Sequence, residues 1–183
     1  MDFDFLNDYT FLFETGIPGY VFWASFLILC AVISLTLMLC RDVHILRKVI
    51  TITLLGEYLF IVMCTTVFVR EVSLDQKIEL TPFWSYFAKP ELENLYIFEN
   101  ILNVFLFLPI GFLLGNLKMT SRWWRVLAIS LLFSVCIETL QYLLRRGLCE
   151  TDDVIHNTLG AILGFLILKS LYKFTARCLN RGN

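Results

Sequence analysis

The sequence predicts an all-α membrane protein with five transmembrane helices. Three observations carry this reading. The 183 residues are 58% hydrophobic and only 17% charged, with a mean hydropathy of +0.73, which leaves too little polar surface for a soluble domain. Five stretches reach the roughly 20 apolar residues that a helix needs to cross a bilayer. The 17 Phe and 4 Trp suit contact with lipid and its interface. A net charge of −1 gives no footprint for nucleic acid.

The N-terminal "MDFDFLNDYTFLFETG" carries acids and no Lys or Arg. A secretory leader needs a basic start, so none is expected. Residues 20–40 are a clean apolar span. Residues 49–69 form a second, carrying Glu57. Residues 97–115 form a third, with Asn100, Asn103 and Pro109, and the proline predicts a kink near the Phe105 carbonyl. Residues 124–144 form a fourth, with Glu138 and Gln141. Residues 154–174 form a fifth, with Asn157. The six cysteines make no CxxC and no Cys/His pairing, so neither a metal site nor a disulfide framework is expected.

Basic residues set the orientation, because Lys and Arg collect on the cytoplasmic side. Arg41, Arg47, Lys48, Lys118, Arg122, Arg125, Lys169, Lys173, Arg177 and Arg181 fall on one side of a five-span chain. Arg70, Lys77, Lys89, Arg145 and Arg146 fall on the other. The N-terminus is expected outside and the C-terminus inside. Asp152, Asp153, Arg70, Arg145, Arg146 and the aromatic "PFWSYF" of residues 82–87 then face outward. Glu138 lies about 9 Å below the same surface at 1.5 Å per residue.

Helical spacing sorts the polar residues into stripes. Asn100 and Asn103 share a face, as do Glu138, Gln141 and Arg145, and as do Asp153, Asn157, Gly160 and Gly164. Polar groups in lipid should turn toward one another or toward a wet cavity. The two GxxxG spacings, Gly111/Gly115 and Gly160/Gly164, allow close helix approach. Plainer readings stand beside these. Asn103, Gln141 and Asn157 can be interhelical glue, Asp152 and Asp153 an acidic helix start, "PFWSYF" an interface belt, Glu57 a protonated carboxyl with a neighbour. His156 reads as an interfacial residue rather than a base.

"ENILNVFLFLPIGFLLG" (99–115), "IETLQ" (137–141) and "TDDVIHNTLGAILG" (151–164), in this order, resemble the VanZ-like family of bacterial membrane proteins. Arg70 and "LTPFWSY" (80–86) look like that family's first outer loop. The resemblance covers roughly residues 50–170 and implies a four-helix core with the first span as an addition: residues 1–46 as an outer segment with an extra helix, 47–175 as the four-helix domain and 176–183 as a cytoplasmic tail. It places Asn103, Pro109, Gly111, Glu138, Gln141, Asp152, Asp153, Asn157 and Gly160 on family motif positions and assigns no catalytic role to any. Glu57 is not among them. The family is named for a protein linked to low-level teicoplanin resistance.

Two functions follow as expectations. In the first, an outer-leaflet pocket built from Arg70, Trp84, Asn100, Asn103, Glu138, Gln141, Arg145, Arg146, Asp152, Asp153 and Asn157 binds a lipid headgroup, a lipid-linked cell-wall precursor or a lipoglycopeptide. Arg145 and Arg146 would pair with phosphate through their bidentate forks. In the second, an intramembrane enzyme acts on the same lipids, with Glu138, Asp152 and Asp153 as catalytic groups: Glu138 as general acid or base, Asp152 and Asp153 able to bind a divalent cation that contacts phosphate. No resident metal or cofactor is expected. A transporter using Glu57 fits less well, because five spans carry no internal repeat. Asp152 or Asp153 is expected at the start of the fifth helix, reaching Arg145, Arg146 or Arg70, with one acid capping the helix.

Overall fold

The computed structural model describes residues 19–39, 42–74, 76–87, 90–117, 120 and 122–181. The expectations for the N-terminal segment and for Arg41, Lys89 and Lys118 lie outside these residues. The described chain is built on five long helices: α1 (Gly19–Leu39), α2 (Val43–Met63), α3 (Pro90–Asn116), α4 (Trp123–Leu144) and α5 (Thr151–Arg181). Four segments are long and apolar enough to cross a membrane: Val43–Phe68, Leu95–Asn116, Trp123–Leu144 and Thr151–Asn180. Helix α1 is the additional one.

Local chemistry explains where the boundaries depart from the sequence reading. Helix α2 starts six residues before the expected 49, because the Asp42 carboxylate accepts from the amides of His44 (2.7 Å) and Ile45 (3.4 Å), two of the donors that a first turn leaves unpaired. Pro90 begins α3, a position where its missing N–H costs nothing. Pro109 sits inside α3 without ending it. Helix α5 begins at Thr151 rather than 154 and continues to Arg181, so the expected tail is helical almost to its end. Two short strands, β1 (Lys77–Glu79) and β2 (Leu148–Glu150), pair as a two-stranded sheet. Hydropathy gave no sign of them.

The chain divides into two compact units, Met1–Lys77 with Thr139–Leu148, and Ile78–Glu138 with Cys149–Asn183. In the first, α1 lies against α2, and Val62 and Val67 are fully buried. Helix α2 ends in a π turn, Cys64–Phe68. Such a turn shifts the hydrogen-bond ladder by one residue, and Gln141 donates from Nε2 to the Thr66 carbonyl at 2.8 Å. Beyond it, Arg146 donates to the carbonyls of Phe68 (2.5 Å) and Arg70 (2.8 Å), a cation placed where a helix end presents unpaired carbonyls. Gly147 adopts φ +111 beside the Arg70 side chain, a conformation that favours glycine.

In the second unit, α3 and α5 run parallel with their backbones touching. A Cβ added at Gly160 would meet the Val104 backbone, one at Gly164 the Leu108 backbone, and one at Gly111 the Ala161 backbone. Each GxxxG thus opens a groove for the other helix. Close van der Waals packing of this kind replaces the hydrophobic driving force that lipid removes. Helix α4 runs antiparallel to α5, with Phe133 against Phe107 at 5.8 Å and Ile137, Phe107 and Ile110 buried.

Candidate functional site

At the end of the second unit where α5 begins, polar side chains from α3, α4, α5 and the 80s loop meet. Asp152, fully buried, anchors them. One of its carboxylate oxygens accepts from the Phe83 amide. The other accepts from the Ser85 amide (3.1 Å) and the Ser85 hydroxyl (2.5 Å). The basic partner expected at this pair is therefore not what holds Asp152, nor does this acid cap its own helix. It caps a different segment, the short 3-10 turn Trp84–Phe87. Phe83, just before that turn, has φ +63, a left-handed conformation that costs a non-glycine residue about 1 kcal/mol or more. The carboxylate on its amide offsets that cost.

A second tier extends from this anchor. Asn100 donates to the Ser85 hydroxyl at 2.8 Å. His156 is buried, with Nδ1 2.6 Å from the Asp152 carbonyl and Nε2 2.8 Å from the Tyr86 hydroxyl. The carbonyl can only accept, so Nδ1 carries a proton and donates it there. His156 thus belongs to this network.

Glu138, Glu150 and Asp153 lie beside it. The Glu138 carboxylate accepts from the Glu150 amide at 2.9 Å, and the Glu150 carboxylate accepts from the Trp84 indole at 3.0 Å. Trp84 stacks at a tilt on Tyr96, centroids 4.8 Å apart. Asn103 donates to Asp153 at 2.7 Å. One helical turn deeper, Asn157 donates to Ser134 at 2.9 Å, while its own carboxamide oxygen is buried with no hydrogen-bond partner. Burial first, then the charges of Asp153, Glu99 and Asp152, push the Glu150 carboxyl up to about 7, against the Trp84 bond that lowers it. Burial and the charges of Glu138, Asp153 and Glu150 push the Cys149 thiol up. Among the described residues, no three His, Cys, Asp or Glu side chains are arranged to hold a metal ion.

The second unit brings together seven of the residues expected at the site: Trp84, Asn100, Asn103, Glu138, Asp152, Asp153 and Asn157. Arg70, Gln141, Arg145 and Arg146 belong to the first unit. There Arg146 and Gln141 bind backbone carbonyls, the Arg145 carbonyl accepts from the Ser73 amide at 2.7 Å, and the Arg70 side chain lies along Gly147. Glu57 is half-buried in α2 of the same unit. Sequence reasoning missed Ser85, Tyr86, Ser134 and Glu150 as individuals. Ser134 had a signal, since it sits four residues before Glu138 on one helix face. Glu150 had none, because its environment comes from a strand that hydropathy does not reveal.

No curated protein and no solved structure matches the chain. The sequence profile of the VanZ/LLP1 family matches residues 54–173. The match begins inside the second helix and runs through α3, α4 and most of α5, leaving α1 outside it. With four helices able to cross a membrane and a polar cluster formed by the residues that carry the resemblance, the chain belongs to the VanZ/LLP1 family of multi-pass membrane proteins.

Proposed function

We propose that the polar end of the second unit is a headgroup site at the outer face of the membrane. It would hold a membrane lipid or a lipid-linked envelope precursor and so contribute to tolerance of lipoglycopeptides of the teicoplanin type. The observation that carries this is the convergence of Glu138, Asp152, Asn157, Asn100 and His156, all buried, at one end of helices otherwise suited to lipid. Polar groups at such depth are costly and mark sites where a polar partner is handled. The aromatic 80s loop, fastened by Asp152, gives the site an amphipathic edge of the kind that lies at headgroup level. The test is native mass spectrometry of the purified full-length chain, scoring retained lipids. Retention of one headgroup class over others of equal acyl chain supports the reading. Retention of none sinks it.

An intramembrane enzyme is the second reading, and one observation favours it: a carboxyl that titrates near neutrality, Glu150, is suited to general acid–base work. Asp152 is the weaker candidate for such work, since both its oxygens are committed to the loop. Lipid extracts from cells with and without the protein separate the two. A new or missing lipid species marks turnover, and unchanged extracts mark a binder.

A further inference from the structure

We infer that the end of the second unit away from Asp152 is a binding surface for anionic phospholipid, where Lys169, Lys173 and Arg177 of α5 and Arg122, just before α4, take the headgroup phosphates. It lies at the opposite end of the unit from the polar cluster and owes nothing to it. Helix length places these residues. Helix α5 has 31 residues, about 46 Å at 1.5 Å per residue, against a hydrocarbon core of about 30 Å. With Asp153 at one boundary, the other falls near Lys173, about 30 Å along the helix. Neighbouring helices end at the same level. The Tyr172 hydroxyl donates to Asn116, the last residue of α3, at 2.5 Å. The bond from Asn157 to Ser134 sets the register of the antiparallel α4, and Arg122 and Lys169 each lie about 18 Å from it in the same direction. The exposed rings of Trp123 and Trp124 follow Arg122, and such rings belong at a membrane–water boundary.

Charge selects the partner. Between Asn100 and Ile137, and again between Val154 and Asn183, the sequence has no Asp or Glu, so the segments that build this end carry cations and no carboxylate. Lys169, Lys173 and Arg177 recur every four residues, about 6 Å apart along one side of α5. Lys173, Arg177 and Arg122 are exposed, and the Lys169 ammonium rests over the Phe165 ring at 5.2 Å. Cations so spaced on one helix face repel one another, and an anion that bridges two of them removes that cost. Outside this stripe, Leu171, Phe174 and Leu179 are also exposed. A soluble polyanion would meet the cations and leave these three in water. A phospholipid offers phosphate to the cations and acyl chain to the apolar side chains, which is the pairing that a basic, amphipathic helix end makes with an anionic membrane surface.

The experiment places the full chain in phosphatidylcholine vesicles that carry, as a minor component, either brominated phosphatidylglycerol or brominated phosphatidylcholine, and reads tryptophan quenching. At equal mole fraction phosphatidylglycerol is expected to quench more, as a preference of about five-fold beside Trp123 and Trp124, the worth of about one cation at an anionic surface. Lys169→Gln combined with Lys173→Gln and Arg177→Gln is expected to remove the excess. Trp84 lies at the other end of the unit, so the change between this variant and the native chain reads the basic end. Lys169→Arg combined with Lys173→Arg keeps both charges and is expected to keep the excess. Equal quenching by the two lipids overturns the proposal, and so does an excess that survives the glutamine variant. If that variant fails to fold, the native chain decides through salt: the excess should fall as ionic strength rises, and an excess indifferent to salt overturns the proposal. Heparin bound by the solubilised chain, with no phosphatidylglycerol excess in vesicles, assigns the surface to soluble polyanions and overturns the lipid.

Discussion

Asn103 on α3 donates to Asp153 on α5 at 2.7 Å, across 50 residues of sequence. The bond ties together two parallel helices at their shared polar end. Bonds between membrane helices average about 0.6 kcal/mol, and those to charged groups in proteins reach about 1.5–3 kcal/mol. Asn103→Leu keeps the branching at Cγ and removes the donor, and is expected to cost about 1–2 kcal/mol. Thermal unfolding in detergent checks it. An unchanged midpoint would show that the contact carries no energy.

Glycine substitutions should split by position. Gly160→Ala and Gly164→Ala drive a methyl into the backbones of Val104 and Leu108, which cannot move aside as a side chain can, so each is expected to cost about 2 kcal/mol or more. Gly56→Ala meets nothing within 4 Å and should stabilise α2 slightly, by at most about 1 kcal/mol. Detergent melting curves of the three variants give the answer through the sign alone. Equal effects at all three positions would contradict the backbone contact.

Stability should fall as pH rises toward neutrality, through Glu150. The folded chain keeps this proton up to about pH 7, whereas an ordinary carboxyl releases it near 4.5. Between those values the unfolded state binds fewer protons, so raising the pH favours unfolding, and the effect levels off above about 7. Glu150→Gln removes this contribution and should flatten the melting temperature across that interval relative to the native chain. Because the Trp84 indole bonds this carboxylate, tryptophan emission should also titrate near neutrality and cease to do so in the variant. Parallel melting curves in the two proteins would refute the shift.

The loop should loosen when its anchor goes. Asp152→Asn leaves one oxygen to accept but replaces the other by a donor facing the donors of Ser85. A buried mismatch of this kind costs about 1–3 kcal/mol. Limited proteolysis is expected to cut within residues 80–87 of the variant before any helix, while the native chain resists there. Ser85→Ala, which removes only the hydroxyl, should give an intermediate rate.

The sequence made the spans legible because a bilayer imposes a length and a composition that a window of residues displays directly. The stripes were legible for the same reason: Asn103, Asp153, Asn157 and Glu138 follow helical spacing, and the structure draws all four into one unit. What stayed hidden depends on chain reversal. The roles of Ser85 and Tyr86 exist only because a 3-10 turn folds back onto α5, and a four-residue turn has no periodicity to read. The bonds of Arg146 stayed hidden too: one guanidinium nitrogen donates to carbonyls at and beyond the end of a π turn, and nothing in a hydropathy profile announces a π turn.

The fastening of the 80s loop has a consequence for the order in which the protein is made. Ser85 leaves the ribosome 67 residues ahead of the carboxylate that receives it, with two helices still to be synthesised between them. Contacts of such separation form late, after their loop-closure cost has been met by others. Through the insertion of α3 and α4, the amides of Phe83 and Ser85 must therefore be satisfied by water, and Phe83 has no reason to adopt its left-handed backbone. Only when the first turn of α5 arrives can the loop close. Asp152 thereby makes a docked loop the mark of a finished chain: truncations that stop before α5 should span the membrane yet leave residues 80–87 open, an arrested stage that pulse-labelled nascent chains would display.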